Sequence, residues 1–392
     1  MRNTKKFNFI FVIFSLSLII ILSVFEIGSF IIIKRANFYL PLDLDKVNTD
    51  KVKERFVKYF SFDLGWESKH PNKFGYIGPS KDINNAFLSL FGDSFTGGNE
   101  EIEKSWAYLL EKKIGRPVLN FGEGGYGTDQ AYLRFEKRYI GKIKTPYVFL
   151  GIMSENIARV INRYRGFYLR RTLIEYTKPM FYRDKNGDTV LLPNPLKTPD
   201  EITLLSDVDF LEKIGKRDFW YNHYEKHGLN KKVHFPYSYF LIKALPYYME
   251  RYYNARIKKR SDYYMLYNNP YALSLMEHTI LKFINRAKEN KTYPIILFLP
   301  NWKDLTDYQN QEKTVYHDFY LQIKNEYGAT FDAMDYFSPY LEKGEVVPSF
   351  FISYEDGHYN PYGERIVSEG FYKDLMTLDK KNNFLQSNSY SK

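Results

Sequence analysis

Residues 87–98 read FLSLFGDSFTGG, an apolar run that ends in a glycine, an acid and a serine. Phe87, Leu88, Leu90 and Phe91 predict a short buried strand that Gly92 stops, so Ser94 falls just past its carboxyl end. In open α/β sheets ligands bind at that edge. Gly92, Gly97 and Gly98 let the backbone turn sharply there, which makes Ser94 a candidate nucleophile. The competing account is an ordinary strand-to-helix turn with a capping serine. A serine hydroxyl is a weak nucleophile at neutral pH unless a histidine takes its proton and an acid holds that histidine in the right tautomer. Near the carboxyl end, YEDGHYNPYG supplies both types: Glu355 and Asp356 stand shortly before His358, in a loop that precedes a proline-started helix.

Two further stretches carry groups that can stabilise a developing oxyanion. Residues 120–130, NFGEGGYGTDQ, lie between a predicted strand and a predicted helix. Gly122, Gly124 and Gly127 have the dinucleotide spacing G-x-G-x-x-G, but they follow the second strand of the unit rather than the first. The alternative use is a glycine whose backbone N–H points at an oxyanion. Residues 151–165, GIMSENIARVINRYR, place Asn156 after the third strand, where its side-chain amide can serve the same oxyanion or cap the next helix. Preorganised donors of this kind are worth a few kcal/mol each in a transition state.

The elements that must position these residues alternate. After the Ser94 strand the pattern predicts a helix over 105–114, a strand over 118–121, a helix over 128–139 and a strand over 147–151. It resumes with a helix over 272–288, a strand over 294–299, a helix over 314–327, a strand over 329–334 and a closing helix over 361–378. Such alternation implies an α/β fold with a parallel sheet covered on both faces. Residues 36–80 are a lead-in expected to pack on this domain, and 379–392 a polar tail.

Residues 160–271 interrupt the alternation with interleaved tyrosine and basic residues, among them Arg163, Tyr164, Arg165 and Tyr168, and later Tyr252, Tyr253, Arg256 and Lys258. The segment is expected to cap the strand ends and bind sugar rings or anionic polymers, although a packing surface or a face near anionic lipid would look the same. Asp184, Asn186 and Asp188 resemble fragments of a calcium loop, but the glycine is misplaced, and a hairpin turning at Asn186 and Gly187 is the better account.

With 392 residues, 44% hydrophobic and 18% aromatic, the chain can bury a large core. Its formal charge of +10 comes with no zinc spacing or RNA-binding signature, so no nucleic-acid partner is implied. The absence of cysteine excludes a disulfide and a thiolate metal site, and nothing in the sequence calls for a metal or a cofactor. Residues 1–35 hold Arg2, Lys5 and Lys6 and then a long apolar stretch broken mainly by a few serines and Glu26. That length suits an uncleaved membrane anchor better than a cleaved signal peptide. The charge balance leans toward a cytoplasmic amino terminus and an exported body, with Lys34 and Arg35 opposing it.

The four blocks, in order, resemble the SGNH or GDSL-type hydrolase superfamily: GDSF at residues 92–95, the glycine block, an asparagine after the third strand, and an acid-x-x-His-like block near the end. The resemblance covers roughly 81–155 and 272–378. It implies a three-layer, flavodoxin-like sheet, with Ser94 as nucleophile and His358 as base. The Ser94 N–H, Gly125 and Asn156 resemble the oxyanion donors. Two blocks depart from the family pattern. Ser154, Glu155, Asn156 and Ile157 stand where G-x-N-D is usual. The usual acid position, three before the histidine, is Glu355, while Asp356 gives the D-x-H spacing of membrane-anchored relatives, so either carboxylate can be the brace, with Asp356 preferred. Thr96 breaks the G-x-S-x-G elbow of ordinary α/β-hydrolases.

Anchored members of this kind resemble enzymes that remove or add acetyl groups on surface polysaccharide. The resemblance therefore implies a serine esterase on an acylated carbohydrate, within an envelope polysaccharide machinery. An O-acyltransferase and a non-catalytic glycan-binding component are the alternatives.

Overall fold

The computed structural model describes residues 2–35, 49–169, 175–230, 233–258, 263–311 and 313–384. Five strands build the central sheet: β1 (Leu88–Phe91), β2 (Val118–Asn120), β3 (Tyr147–Met153), β4 (Tyr293–Leu299) and β5 (Thr330–Asp332). Their spatial order is β2-β1-β3-β4-β5, and every neighbouring pair is parallel. Leu88 lies beside Val118 on one flank and Tyr147 on the other, and Tyr147 beside Tyr293. β1, β2 and β3 are buried along their whole length, as expected of strands covered on both faces. The strand order reverses between β1 and β3, and at such a switch point the loops part and leave a crevice. Ser94 follows β1 at that place.

Helix α1 (Arg2–Arg35) stands largely outside the packed body. Within it Phe9–Lys34, 26 residues with mean hydropathy 2.7, is long and apolar enough to cross a membrane. Among its residues 9–34, Ser29 and Ile33 are the buried ones.

Helices lie on both faces of the sheet. The short α2 (Ser94–Gly97) starts at Ser94, and α3 (Trp106–Ile114), α4 (Thr128–Arg138), α5 (Tyr237–Tyr252), α6 (Pro270–Glu289), α7 (His317–Tyr327) and α8 (Pro361–Asn382) are further helices in chain order. Alternate strand residues divide the core into two layers. Phe91, Leu150 and Ile296 pack with Phe135 of α4, Phe283 of α6 and Phe319 of α7. Leu90, Phe149 and Leu297 pack with Trp106 of α3 and Phe371 of α8. Local chemistry sets the helix starts: Asn269 and Asn360 each accept two backbone N–H groups at an N-cap followed by proline.

Between β3 and β4 runs a long segment that includes α5 and α6. It holds an antiparallel hairpin, Met180–Arg183 with Thr189–Leu192, whose turn contains Asn186 and Gly187. Asp184 Oδ1 there accepts the N–H groups of Asn186 and Asp188. Phe181, Leu205, Trp220 and Leu266 of this segment join the core layer of α4 and α6.

Helix Trp302–Gln311 occupies a stretch without a predicted element, and helix Met334–Glu342 begins on the last residue of the strand expected over 329–334, which ends at Asp332. The carboxyl-terminal helix runs to Asn382, because Asp379 is buried and accepts a hydrogen bond from Tyr147 Oη at 2.8 Å, so the expected tail does not begin at 379. The rest of that tail, 385–392, and residues 36–48 of the lead-in lie outside the described residues.

Candidate active site

Close packing forms the turn that carries Ser94. A Cβ on Gly92 would stand 1.9 Å from Thr96 Oγ1, and one on Gly151 of β3 2.1 Å from the same atom. Both glycines are therefore required by the threonine side chain wedged between β1 and β3. Asp93 is the N-cap of α2 and accepts the Phe95 N–H at 2.9 Å. The glycine block closes the other end: Asn120 Nδ2 donates to the carbonyls of Thr96 and Gly97 at 3.0 Å each, and a Cβ on Gly122 would lie 2.2 Å from the Gly97 nitrogen. Gly122 thus serves a close backbone approach to the Ser94 turn. The first turn of α4, where a dinucleotide phosphate would sit, instead holds buried Asp129 paired with Lys178.

Ser94, His358 and Asp356 come together across 264 residues of chain. His358 Nε2 lies 2.8 Å from Ser94 Oγ, and His358 Nδ1 lies 2.8 Å from Asp356 Oδ1. The Asp356 carboxylate accepts from Nδ1–H, which leaves Nε2 as the acceptor for the serine hydroxyl. The carboxylate also accepts the His358 backbone N–H at 3.1 Å, while Ser353 Oγ accepts the Asp356 N–H at 3.0 Å. Burial opposes ionisation of Asp356, yet the side-chain and backbone hydrogen bonds from His358 hold its carboxyl below the ordinary aspartate value. Phe95 packs its ring 5.3 Å from the imidazole. Glu355 is exposed, and it is Asp356 that meets Nδ1. The His358 and Asp356 side chains are 40% and 46% exposed, so the site is open to solvent.

Gly125 is set by residues that sequence reasoning did not link to it. Glu123, Gly124, Gly125 and Tyr126 form a turn closed by the Tyr126 N–H to the Glu123 carbonyl, with Gly125 at φ +75° in the third position, as a type II turn requires. The Trp66 indole donates to the Gly124 carbonyl at 2.9 Å. Because the peptide is planar and trans, fixing that carbonyl aims the Gly125 N–H the opposite way. Arg165 donates to the Gly125 carbonyl, and the Tyr126 hydroxyl donates to the Trp66 carbonyl at 2.5 Å. Glu123 holds the other flank, accepting from Arg134 Nη1 at 2.5 Å and from the Ser68 N–H and hydroxyl at 3.0 and 2.6 Å.

Asn156 is placed differently from the expectation. It is buried, its Oδ1 accepts the Met153 N–H at 2.9 Å, and its amide hydrogens go to Asp93 Oδ2 at 2.9 Å and the Tyr126 carbonyl at 3.2 Å. The amide is committed to tying β3 to the Ser94 turn and is not a free donor in this arrangement. Arg159 reinforces the tie, reaching Asp93 Oδ2 at 3.3 Å, the Tyr126 carbonyl at 2.9 Å and Glu155 Oε1 at 3.3 Å. Burial would raise the Glu155 carboxyl, but Arg159 and Arg165 bring it below its usual value. Arg159 was legible only as a cation in an apolar stretch, one helical turn after Asn156.

Beyond Glu155 lies a cavity of about 470 Å³, lined among others by Tyr168, Trp220, Tyr247, Tyr263 and Tyr264. Ser94 and His358 are not among its lining residues. The arrangement as a whole can do acyl chemistry: a hydroxyl lies next to a braced base, and the Gly125 peptide is held in one orientation.

No family model matches the chain, and no curated protein does. Two solved structures show a distant likeness. One, assigned to the lipolytic G-D-S-L family, from Desulfitobacterium hafniense DCB-2, is 14% identical, with 74% of this chain and 99% of that chain covered, at a TM-score of 0.36. The other, a member of the lipolytic protein G-D-S-L family from Veillonella parvula DSM 2008, is 11% identical, with 72% and 94% covered, at a TM-score of 0.35.

Proposed function

We propose that this chain is a membrane-anchored serine esterase of the SGNH type that acts on O-acyl, chiefly acetyl, esters of a cell-surface carbohydrate. The observation that carries the reading is the unbroken relay from Ser94 Oγ through His358 to Asp356, two contacts of 2.8 Å each. In the first step Ser94 Oγ attacks the ester carbonyl carbon while its proton passes to His358 Nε2. The oxyanion is received by backbone N–H groups of Ser94 and Gly125. The imidazolium, held by Asp356, then protonates the departing sugar oxygen and leaves acyl-Ser94. Water, deprotonated by the same nitrogen, attacks the acyl carbon and frees the carboxylic acid and Ser94.

The carbohydrate part of the proposal is supported by the aromatic cavity beside Glu155, since tyrosine and tryptophan faces with nearby polar groups suit sugar rings. Helix α1 is the anchor, and the basic residues Arg2, Lys5 and Lys6 favour a cytoplasmic start with the body outside. There the enzyme meets the products of an envelope polysaccharide machinery. A sugar hydroxyl in place of water in the second half-reaction gives an O-acyltransferase.

The test is acetate release from an acetylated surface polysaccharide by the purified full chain. Release that vanishes in Ser94→Ala supports the esterase, and acetyl appearing on an added unacetylated glycan supports transfer. Glycan binding with neither reaction in the wild-type chain rejects both.

A further inference from the structure

Helix α5 has two faces of opposite fate. Phe240 and Ala244 are buried in the body at 5% exposure each, whereas Tyr239, Ile242, Met249 and Tyr252 are 56%, 58%, 62% and 63% exposed. At 100° per residue these four, with Leu245, fall within one arc of about 140°. The stripe continues beyond the helix to Ile257, 60% exposed, next to the exposed cations Arg256 and Lys258. This is an apolar ridge on the outside of the body, ending in positive charge.

The amino-terminal end of the same helix is joined to α1. Glu26, the one carboxylate in the apolar stretch, accepts the Tyr237 N–H at 2.7 Å, the Ser238 N–H at 3.2 Å and the Ser238 hydroxyl at 2.5 Å. Phe30 packs its ring 4.9 Å from Tyr237. Glu26 thus satisfies the unpaired donors of the first turn of α5. The stretch Phe9–Lys34 is 26 residues, about 39 Å of helix, against about 30 Å of hydrocarbon. Taken at the carboxyl-terminal end, the excess of about 9 Å puts residues 29–34 at headgroup level, so that of the two residues meeting α5, Phe30 falls at that level and Glu26 just inside it.

We infer that α5 is an interfacial helix: it lies beside α1 on the bilayer that α1 crosses, with Tyr239, Ile242, Met249 and Tyr252 among the acyl chains and Arg256 and Lys258 at lipid phosphates. The inference rests on the reading of α1 as an anchor. Its consequence is that the catalytic body is clamped to the membrane at two places and does not swing on a tether.

The absence of native cysteine makes the test direct. Ile242→Cys and Met249→Cys in the full chain, with Ile20→Cys on α1 and Lys213→Cys on an exposed helix as references, are each labelled with an environment-sensitive fluorophore. The proteins are reconstituted in vesicles of phosphatidylcholine and phosphatidylglycerol. Labels at 20, 242 and 249 are expected to lose at least half their emission to nitroxide-bearing lipid and little to iodide, with the reverse at 213. Lipid quenching at 20 combined with iodide quenching at 242 and 249 overturns the interfacial helix and leaves the anchor standing. Iodide quenching at 20 as well removes the anchor and the inference with it. Labels at 242 and 249 shielded from both quenchers, with shielding lost on dilution of protein in lipid, mean that a second copy covers the ridge, which also overturns the proposal.

Discussion

Trp66 and Gly124, 58 residues apart, share a 2.9 Å hydrogen bond from indole N–H to carbonyl oxygen, and through the intervening peptide plane this bond decides where the Gly125 N–H points. A residue of the lead-in segment thereby reaches the proposed oxyanion site without touching substrate. Trp66→Phe keeps an aromatic ring and removes the donor. We expect kcat for a small acetyl ester to fall about tenfold, or about 1.4 kcal/mol, with KM within twofold. Initial-rate kinetics at matched folded fraction would check this, and an unchanged kcat would remove Trp66 from the positioning of the site.

The two neighbouring carboxylates make opposite predictions. Asp356→Asn removes the acceptor that fixes the His358 tautomer, so kcat should drop by about 10³-fold or more, as loss of a triad acid does elsewhere. Glu355 is exposed, and Glu355→Gln should stay within twofold of wild type. Equal losses in both variants would contradict the assignment of Asp356 as the brace.

Asn156 separates a structural tie from an oxyanion donor. Its side chain holds the Met153 N–H, Asp93 and the Tyr126 carbonyl, so Asn156→Ala should destabilise the fold by about 1–3 kcal/mol, with activity falling alongside. A free oxyanion donor would instead give a kcat loss of about 10²–10³ at unchanged melting temperature. Urea unfolding and kinetics on the same preparation distinguish the two.

Stability should fall as pH rises from 5 to 8. Glu364, at the start of α8, accepts the Trp106 N–H at 2.7 Å near the Gly98 turn, and burial pushes its carboxyl up from 4.5 to about 8. Burial likewise raises Asp304 from 3.8 to about 8. In that window the unfolded chain has released these protons and the folded chain still holds them, so each group lowers stability by up to about 1.4 kcal/mol per pH unit. Glu364→Gln should make the slope shallower by about that amount in urea titrations across the range. An unaltered slope would show that Glu364 is not protonated in the folded protein.

The alternation of apolar runs and amphipathic stretches was enough to place all five sheet strands, because a parallel sheet buried on both faces leaves an uninterrupted hydrophobic signature. Ser94, His358 and the carboxylate pair were readable as well, since each sits in a loop whose short-range pattern of glycine, acid and proline is unusual. What escaped were relationships over long separations. Nothing near Trp66 announces Gly124, and nothing near Asn156 tells whether its amide faces a substrate or Asp93. The side of α5 that faces outward was hidden for another reason. Its exposed residues are as apolar as core residues, so composition alone read the segment as a tyrosine-rich cap.

The central claim is that Ser94 is activated by His358. A fluorophosphonate probe reports this without knowledge of the substrate, because it forms a stable adduct with an activated serine. Applied to the detergent-solubilised full chain and followed by peptide mass spectrometry, it should modify Ser94, and the adduct should disappear in His358→Ala while that variant keeps the wild-type melting curve. Absence of an adduct on the folded wild-type chain, or equal labelling of Ser94 in His358→Ala, would contradict the account.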